Sequence, residues 1–150
     1  MKGKLIFCAL ALCLSALTVL AQEQRVQMKD LPAAVKATVQ EQSKGAKMRG
    51  LSKEREQGKT VYELELIVNG HSKDMIIDES GAILEVEEQI ALNALPAAVK
   101  AELEKQAGKG KIQKVESVTK GNTLVYYEGV VKTGKKATEI KVSPDGTPVK

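Results

Sequence analysis

The side chains in this 150-residue sequence that could do chemistry fall into three small groups. His71, the one histidine, directly follows Asn69-Gly70. As a general base or metal ligand it needs partners, and without them it is a solvated turn residue. Asp74, Asp78 and Glu79 surround the same stretch and could attract a cation, but they lack the ligand spacing and the glycine of a calcium loop. Glu63, Glu65 and Glu128 alternate with apolar residues, where paired carboxylates suggest acid–base work and a polar sheet face accounts for them equally well. No serine lies in a nucleophile elbow, no glycine-rich loop leads from a strand into a helix, and no zinc signature occurs. No catalytic residue, cofactor site or metal site is assigned, and the expectation is a protein that is not an enzyme.

The first 21 residues are set aside before the elements that position these groups. Lys2 and Lys4 precede an apolar run at residues 5–20 that ends in Val19-Leu20-Ala21. These are the parts of a secretory signal, cleaved between Ala21 and Gln22. The run is short for a membrane span and no basic stop-transfer cluster follows it, so no stable anchor is expected after cleavage. Cys8 and Cys13 both lie inside the leader, and neither follows the Gly, Ala or Ser of a lipoprotein site. The remainder has no thiol for a disulfide, a nucleophile or a metal. It keeps 21 basic against 19 acidic residues, interspersed, with three tyrosines and no tryptophan. That composition excludes a base-stacking nucleic-acid surface.

Leu-Pro-Ala-Ala-Val-Lys-Ala occurs at residues 31–37 and again at 95–101, an offset of 64. An internal duplication follows as the working hypothesis, with a lead-in at residues 22–29 and units at 30–91 and 92–150. Each unit opens on a helix. Pro32 and Pro96 suit the first helical position, and Asp30 sits at the positive end of the first dipole. Leu31, Val35 and Val39 recur with helical spacing, as do Leu95, Val99 and Leu103. Gly45, and Gly108 with Gly110, end the helices. A weaker strand carries Met48 and Leu51, with Gly50 as a bulge. Tyr62, Leu64, Leu66 and Val68 then point one way and Glu63 and Glu65 the other. Asn69-Gly70 is a strong hairpin signal, Met75 and Ile77 lie on the returning strand, residues 78–81 turn again, and residues 83–86 form a last strand before a link at 87–93.

The second copy repeats this order. Residues 112–119 form its first strand, with Val115 and Ser117 on the buried side. After Gly121-Asn122 the offset becomes 65, placing Tyr127 on Tyr62 and Glu128 on Glu63. The added residue is expected in the Gly121-Asn122 turn, because an insertion inside a strand would flip every side chain beyond it. Ile140 and Val142 take the places of Met75 and Ile77, Gly146 that of Gly81, and the final strand is short or missing. The fold class is α+β: two tandem repeats, each an N-terminal helix packed on a three- or four-stranded antiparallel sheet, their mutual packing left open. Gly129 takes the inward place of Leu64, for which a bulge is preferred over the close approach of another backbone.

Any activity should sit where the copies differ. Tyr126 points outward beside inward Tyr127 and is a candidate anchor for a protein contact, although singly exposed aromatics are common. The hairpin at Asn69, Gly70 and His71, and the lysine-rich turn with Lys132, Lys135 and Lys136, are the other candidate contacts; Lys136 stands in the place of His71.

With the units laid out, the chain resembles the PepSY-like group of bacterial secreted proteins, described as beta-lactamase-inhibitor-like. The resemblance rests on the Leu-Pro-Ala-Ala-Val-Lys opening, on Tyr62-Glu63 and Tyr127-Glu128, and on the turns at residues 78–81 and Asp145-Gly146. It implies tandem helix-and-sheet units like those of the beta-lactamase inhibitory protein, in an exported protein that binds or restrains another. PepSY domains more widely accompany propeptides of thermolysin-type metallopeptidases, with an inhibitory role. The leading expectation is a periplasmic or secreted, non-enzymatic binding module without cofactor, acting on a protein or peptide partner in the cell envelope, such as a peptidase or other enzyme that it inhibits or regulates. The alternative is an envelope ligand or metal-ion sensor that uses the carboxylates and His71. A third reading is an enzyme whose site one sequence does not display.

Overall fold

The structure is a computed structural model that describes residues 24–150; the leader and the Ala21–Gln22 bond lie outside the described residues. Its strands are β1 (Gln24–Arg25), β2 (Lys47–Glu56), β3 (Lys59–Val68), β4 (His71–Asp78), β5 (Ile83–Gln89), β6 (Lys111–Lys120), β7 (Thr123–Thr133), β8 (Lys136–Val142) and β9 (Pro148–Val149). All nine join one antiparallel sheet in chain order. Helix α1 (Ala33–Gln42) follows a 3-10 turn at Met28–Asp30, and α2 (Ala97–Ala107) follows one at Leu92–Ala94. The packing left open by the sequence is resolved by β5 and β6, which pair from Glu85 with Lys120 to Gln89 with Glu116.

Both helices cover the same face of this sheet. Leu31, Val35 and Val39 pack with Leu51, Tyr62, Leu64, Leu66, Met75 and Ile77. Leu95, Val99 and Leu103 pack with Val115, Tyr127 and Val142. Each fully buried aliphatic side chain contributes about 1.5–3 kcal/mol. Helices this short are held by such contacts more than by intrinsic propensity.

The identical heptapeptide has a second cause in the packing. Gly81, at φ +85°, lies so close to α1 that a Cβ there would sit 2.8 Å from the Ala34 carbonyl oxygen. The Thr38 hydroxyl donates to the Gly81 carbonyl at 2.7 Å. In the other half a Cβ on Gly146, at φ +89°, would sit 2.9 Å from the Ala98 Cβ. The small second alanine of each heptapeptide therefore receives a turn glycine. The turns themselves are held by their aspartates: the Asp78 carboxylate accepts from the Ser80 and Ala82 backbone N–H groups at 2.8 and 3.0 Å. Asp145 accepts from the Thr147 N–H at 2.9 Å and from the Ser143 hydroxyl.

Five expectations need correction. Pro32 and Pro96 are caps, not first helical residues; their ψ of 147° and 140° is extended, and each lends its carbonyl to the first helical bond. The lead-in contributes β1, since Gln24 and Arg25 pair with Lys53 and Ser52. Strand β5 runs three residues beyond 86, because Glu87, Glu88 and Gln89 find partners on β6. The added residue of the second half is absorbed inside β7. Val118 pairs with Tyr126 and Thr119 with Leu124, so Val125 is bulged out and the faces beyond it are preserved. Gly129 is in regular register, between Val115 and Ile140. A Cβ there would lie 3.1 Å from Leu103, so it is glycine because helix α2 approaches closely.

Candidate binding face

Among the described residues, the opposite face of the sheet carries no helix. It is made by the residues that alternate with the core: Glu63 and Glu65 lie between Tyr62, Leu64 and Leu66, and Glu116 lies between Val115 and Ser117. Residues directly opposite in an antiparallel pair share a face, so the register writes out rows across it. One row runs Glu65, Asp74, Glu87, Val118, Tyr126. A neighbouring row runs Gln89, Glu116, Glu128, Lys141. Ser72 joins it, its N–H donating to Gln89 Oε1 at 3.1 Å and its hydroxyl to Glu116 Oε1 at 3.1 Å.

Several of these side chains are buried although no helix covers them. Val118 and Val61 are 0% and 2% exposed and belong to neither helix-covered cluster. Glu116 is 4% exposed and meets Lys114 Nζ at 2.8 Å. Arg49 lies 2.9 Å from Glu65 and 3.8 Å from Asp74. Lys120 pairs with Glu85 at 2.9 Å, and Lys141 with Glu128 at 3.0 Å. The Lys141 ammonium also stands 4.8 Å from the centre of the Tyr126 ring, a cation–π distance.

The cations leave some carboxyls of the face out, Glu87 and Glu63 among them. Among the described residues no ion pair reaches Glu87 or Glu63. Burial, followed by the charges of Glu116, Glu128, Glu85 and Asp74, pushes the Glu87 carboxyl up to about 7. Burial also raises Glu63 to about 7, helped by a hydrogen bond shared with Glu54 and by the charges of Glu54, Glu65 and Asp74. Asp74 is raised by burial against the opposing pull of Arg49. Its Oδ1 is buried without a hydrogen-bond partner, as is the hydroxyl of Ser52, which lies opposite Glu63 and is 3% exposed.

The residues singled out in the sequence are dispersed. His71 opens β4 at the exposed Asn69-Gly70 hairpin, and Asp78 closes the same strand, so about 20 Å of extended chain separates them. Asp74 faces the helix-free side and Glu79 belongs to the turn beyond. Among the described residues no three His, Cys, Asp or Glu side chains are placed to hold a metal ion. Lys132, Lys135 and Lys136 sit exposed at the β7–β8 hairpin. Antiparallel order puts that hairpin at the same end of the sheet as residues 69–71, about four strand spacings away. Tyr126 is on the helix-free face, half-buried and apart from both hairpins. A depression of about 510 Å³ beside Arg55, Lys59, Asp78 and Glu79 lies at the other end. Sequence reasoning passed over Glu87 and Glu116. The visible signal for Glu87 was the continued alternation Glu85-Val86-Glu87, which it assigned partly to a link.

No family model matches the sequence, and no curated protein matches it. Solved structures do resemble the fold. A protein described as periplasmic from Bacteroides eggerthii aligns with a TM-score of 0.65 at 16% identity, over 80% of this chain and 86% of that one. A DUF2874 family protein from Bacteroides ovatus gives 0.62 at 16% identity, over 80% and 85%. A BLIP-like protein from Bacteroides fragilis gives 0.58 at 17% identity, over 80% and 84%. At these identities the likeness is one of fold, and the chain has the α+β, helix-on-antiparallel-sheet fold of these Bacteroides proteins.

Proposed function

We propose that this chain is an exported, non-enzymatic binding module, built from two copies of one unit, that engages a protein or peptide through its helix-free sheet face. The observation that carries the reading is the face itself: the half-exposed Tyr126 stands on the same face as Glu87 and Glu63, which have no ion pair, and among the described residues no other element covers that surface. Its carboxylates are spread one or two to a strand instead of converging on one reacting atom, which favours recognition over acid–base catalysis. Duplication is supported by the repeated heptapeptide and by the same glycine-on-alanine contact in both halves. Export is supported by the leader pattern and by the periplasmic description of the Bacteroides eggerthii protein with this fold. Restraint of an envelope enzyme is the form of binding that the BLIP-like neighbour suggests.

The test is site-specific photocrosslinking in bacterial envelope extract. A benzoylphenylalanine in place of Tyr126 should capture a discrete protein partner, whereas the same group at Glu41, on the exposed side of α1, should not. Equal capture from both positions would sink the reading.

A further inference from the structure

We propose that the open outer edge of β8 takes up an extended, acidic segment of a partner protein as one further antiparallel strand. Binding at this edge does not depend on the Tyr126 face.

The two halves of the sheet treat the same edge differently. Ile140 and Val142 pack towards α2 as Met75 and Ile77 pack towards α1, so β8 holds in the second half the place of β4 in the first. Strand β4 is paired on both sides, with β3 and, from Lys73 with Glu88 to Ile77 with Ile83, with β5. Strand β8 is paired along its length with β7, but on its outer side β9 meets only Lys141 and Val142. Among the described residues, Lys136 to Ile140 therefore carry no strand on that side.

Backbone geometry identifies the groups that this edge presents. Gly134 and Lys135 make a two-residue loop closed by the pair Thr133 and Lys136. Such a closing pair turns its N–H and C=O groups towards each other. At the far end of the strand the Ser143 N–H donates outward, to the Thr147 carbonyl at 2.8 Å. Alternation between these two fixed points directs the N–H and C=O of Ala137 and Glu139 outward, away from β7. The side chains leave room: Lys136, Ala137, Thr138 and Glu139 are exposed, and a depression of about 290 Å³ lies beside Val130, Ala137, Thr138 and Glu139.

Charge selects the occupant. Lys132 lies opposite Ala137 and so on the same face, Lys135 is in the loop, and Lys136 opens the strand. Among the described residues none of the three is in an ion pair. Glu139, the one acidic side chain of the open stretch, stands towards its other end. An antiparallel strand with carboxylates at its end beside the loop meets these lysines and avoids Glu139. The first half has this arrangement built in: β5 brings Glu87 and Glu88 to the loop end of β4, with Glu88 3.7 Å from Lys73. A second copy of this chain suits the edge less well. Pairing β8 with β8 would bring both sets of lysines together, and lysines on an edge guard against self-pairing. Strand addition draws affinity from main-chain hydrogen bonds and selectivity from alternate side chains, and this edge presents both.

The test uses a capped, fluorescently labelled peptide with the sequence of residues 83–89 carrying Glu85→Thr, so that no acid faces Glu139 when Glu88 faces Lys136. Its analogue carries Glu87→Lys and Glu88→Lys in addition. Fluorescence anisotropy should show the acidic peptide binding the protein about ten-fold tighter than the analogue, with the order reversed in a protein carrying Lys132→Glu, Lys135→Glu and Lys136→Glu. Ala137→Pro removes one outward N–H at a sheet edge, where proline is tolerated, and should weaken binding about ten-fold while the thermal melt stays cooperative. Amide hydrogen exchange followed by NMR should slow at Ala137 and Glu139 on binding and stay unchanged at Thr138, whose N–H already faces β7. The proposal is overturned if the acidic peptide does not bind, if the two peptides bind equally, if exchange at Ala137 and Glu139 is unaltered at saturation, or if Ala137→Pro folds and binds as wild type does. Concentration-dependent dimerisation in sedimentation, lost in Ala137→Pro, would give the edge to a second copy and also overturn it. Each of these failures leaves the crosslinking expected at Tyr126 untouched.

Discussion

Replacing Glu87 by glutamine should stabilise this protein in alkaline solution and leave it nearly unchanged in acid. The carboxyl moves from an ordinary 4.5 to about 7 on folding. A group whose folded value is raised favours the fold fully below its unfolded value, and that contribution is lost as the pH climbs through the folded one. For a fully buried group a change of this size is worth about 3 kcal/mol above pH 7. Glu87 is only half-buried, so solvent screening reduces the penalty of its ionised form to about 1–2 kcal/mol. Glutamine has the same shape and no charge, and it also relieves Glu116, Glu128, Glu85 and Asp74 of a like-charged neighbour. Thermal melts at constant ionic strength should show the variant about 4–8 °C above wild type near pH 8.5 and within error of it near pH 5. An equal difference at both pH values, or a variant that melts lower at pH 8.5, would refute the electrostatic account of this face.

Three further outcomes follow from the packing. Gly81→Ala should cost about 2–4 kcal/mol in urea unfolding, because it adds a clash with the Ala34 carbonyl to the strain of φ +85°, whereas Gly70→Ala, at the same φ in open space, should cost only about 1 kcal/mol. Gly129→Ala should destabilise by about 1 kcal/mol through its contacts with Leu103 and Ile140, and a double-mutant cycle with Leu103→Ala should show a smaller cost once the leucine is shortened. Val99→Asp puts a carboxylate at a position with no solvent exposure and should lower stability by more than about 3 kcal/mol, detected as loss of a cooperative melt at 37 °C.

Local signals and three-dimensional placement contributed unequally to what the sequence could reveal. The helical spacing of Leu31, Val35 and Val39 and the alternation from Tyr62 to Val68 were legible because each follows from one element's own period. Asn69-Gly70 was legible because both residues must take positive φ, and they do, at 51° and 85°. Gln57-Gly58 makes the same kind of turn at 48° and 82°, but glutamine advertises it poorly. The bulge at Val125 was misplaced into a turn because the preservation of faces beyond it is satisfied either way, and only the pairing partner decides. The carboxyl group at Glu87 was hidden for a deeper reason. Its neighbours Asp74, Glu116 and Glu128 come from three other strands, and nothing local says that β5 and β6 join the two halves into one sheet.

That continuous sheet in chain order has a kinetic consequence. Wide sheets commonly need strands that are distant in sequence to find each other, and the entropy of closing those loops slows folding. Among the described residues every strand pairs only with its immediate predecessor and successor. The side-chain hydrogen bond from Ser72 to Glu116, which ties the two halves together, spans 44 residues. The topology therefore permits assembly by successive addition of neighbouring segments, with no crossover awaiting a remote partner. A chain of this design can acquire structure progressively as its segments become available.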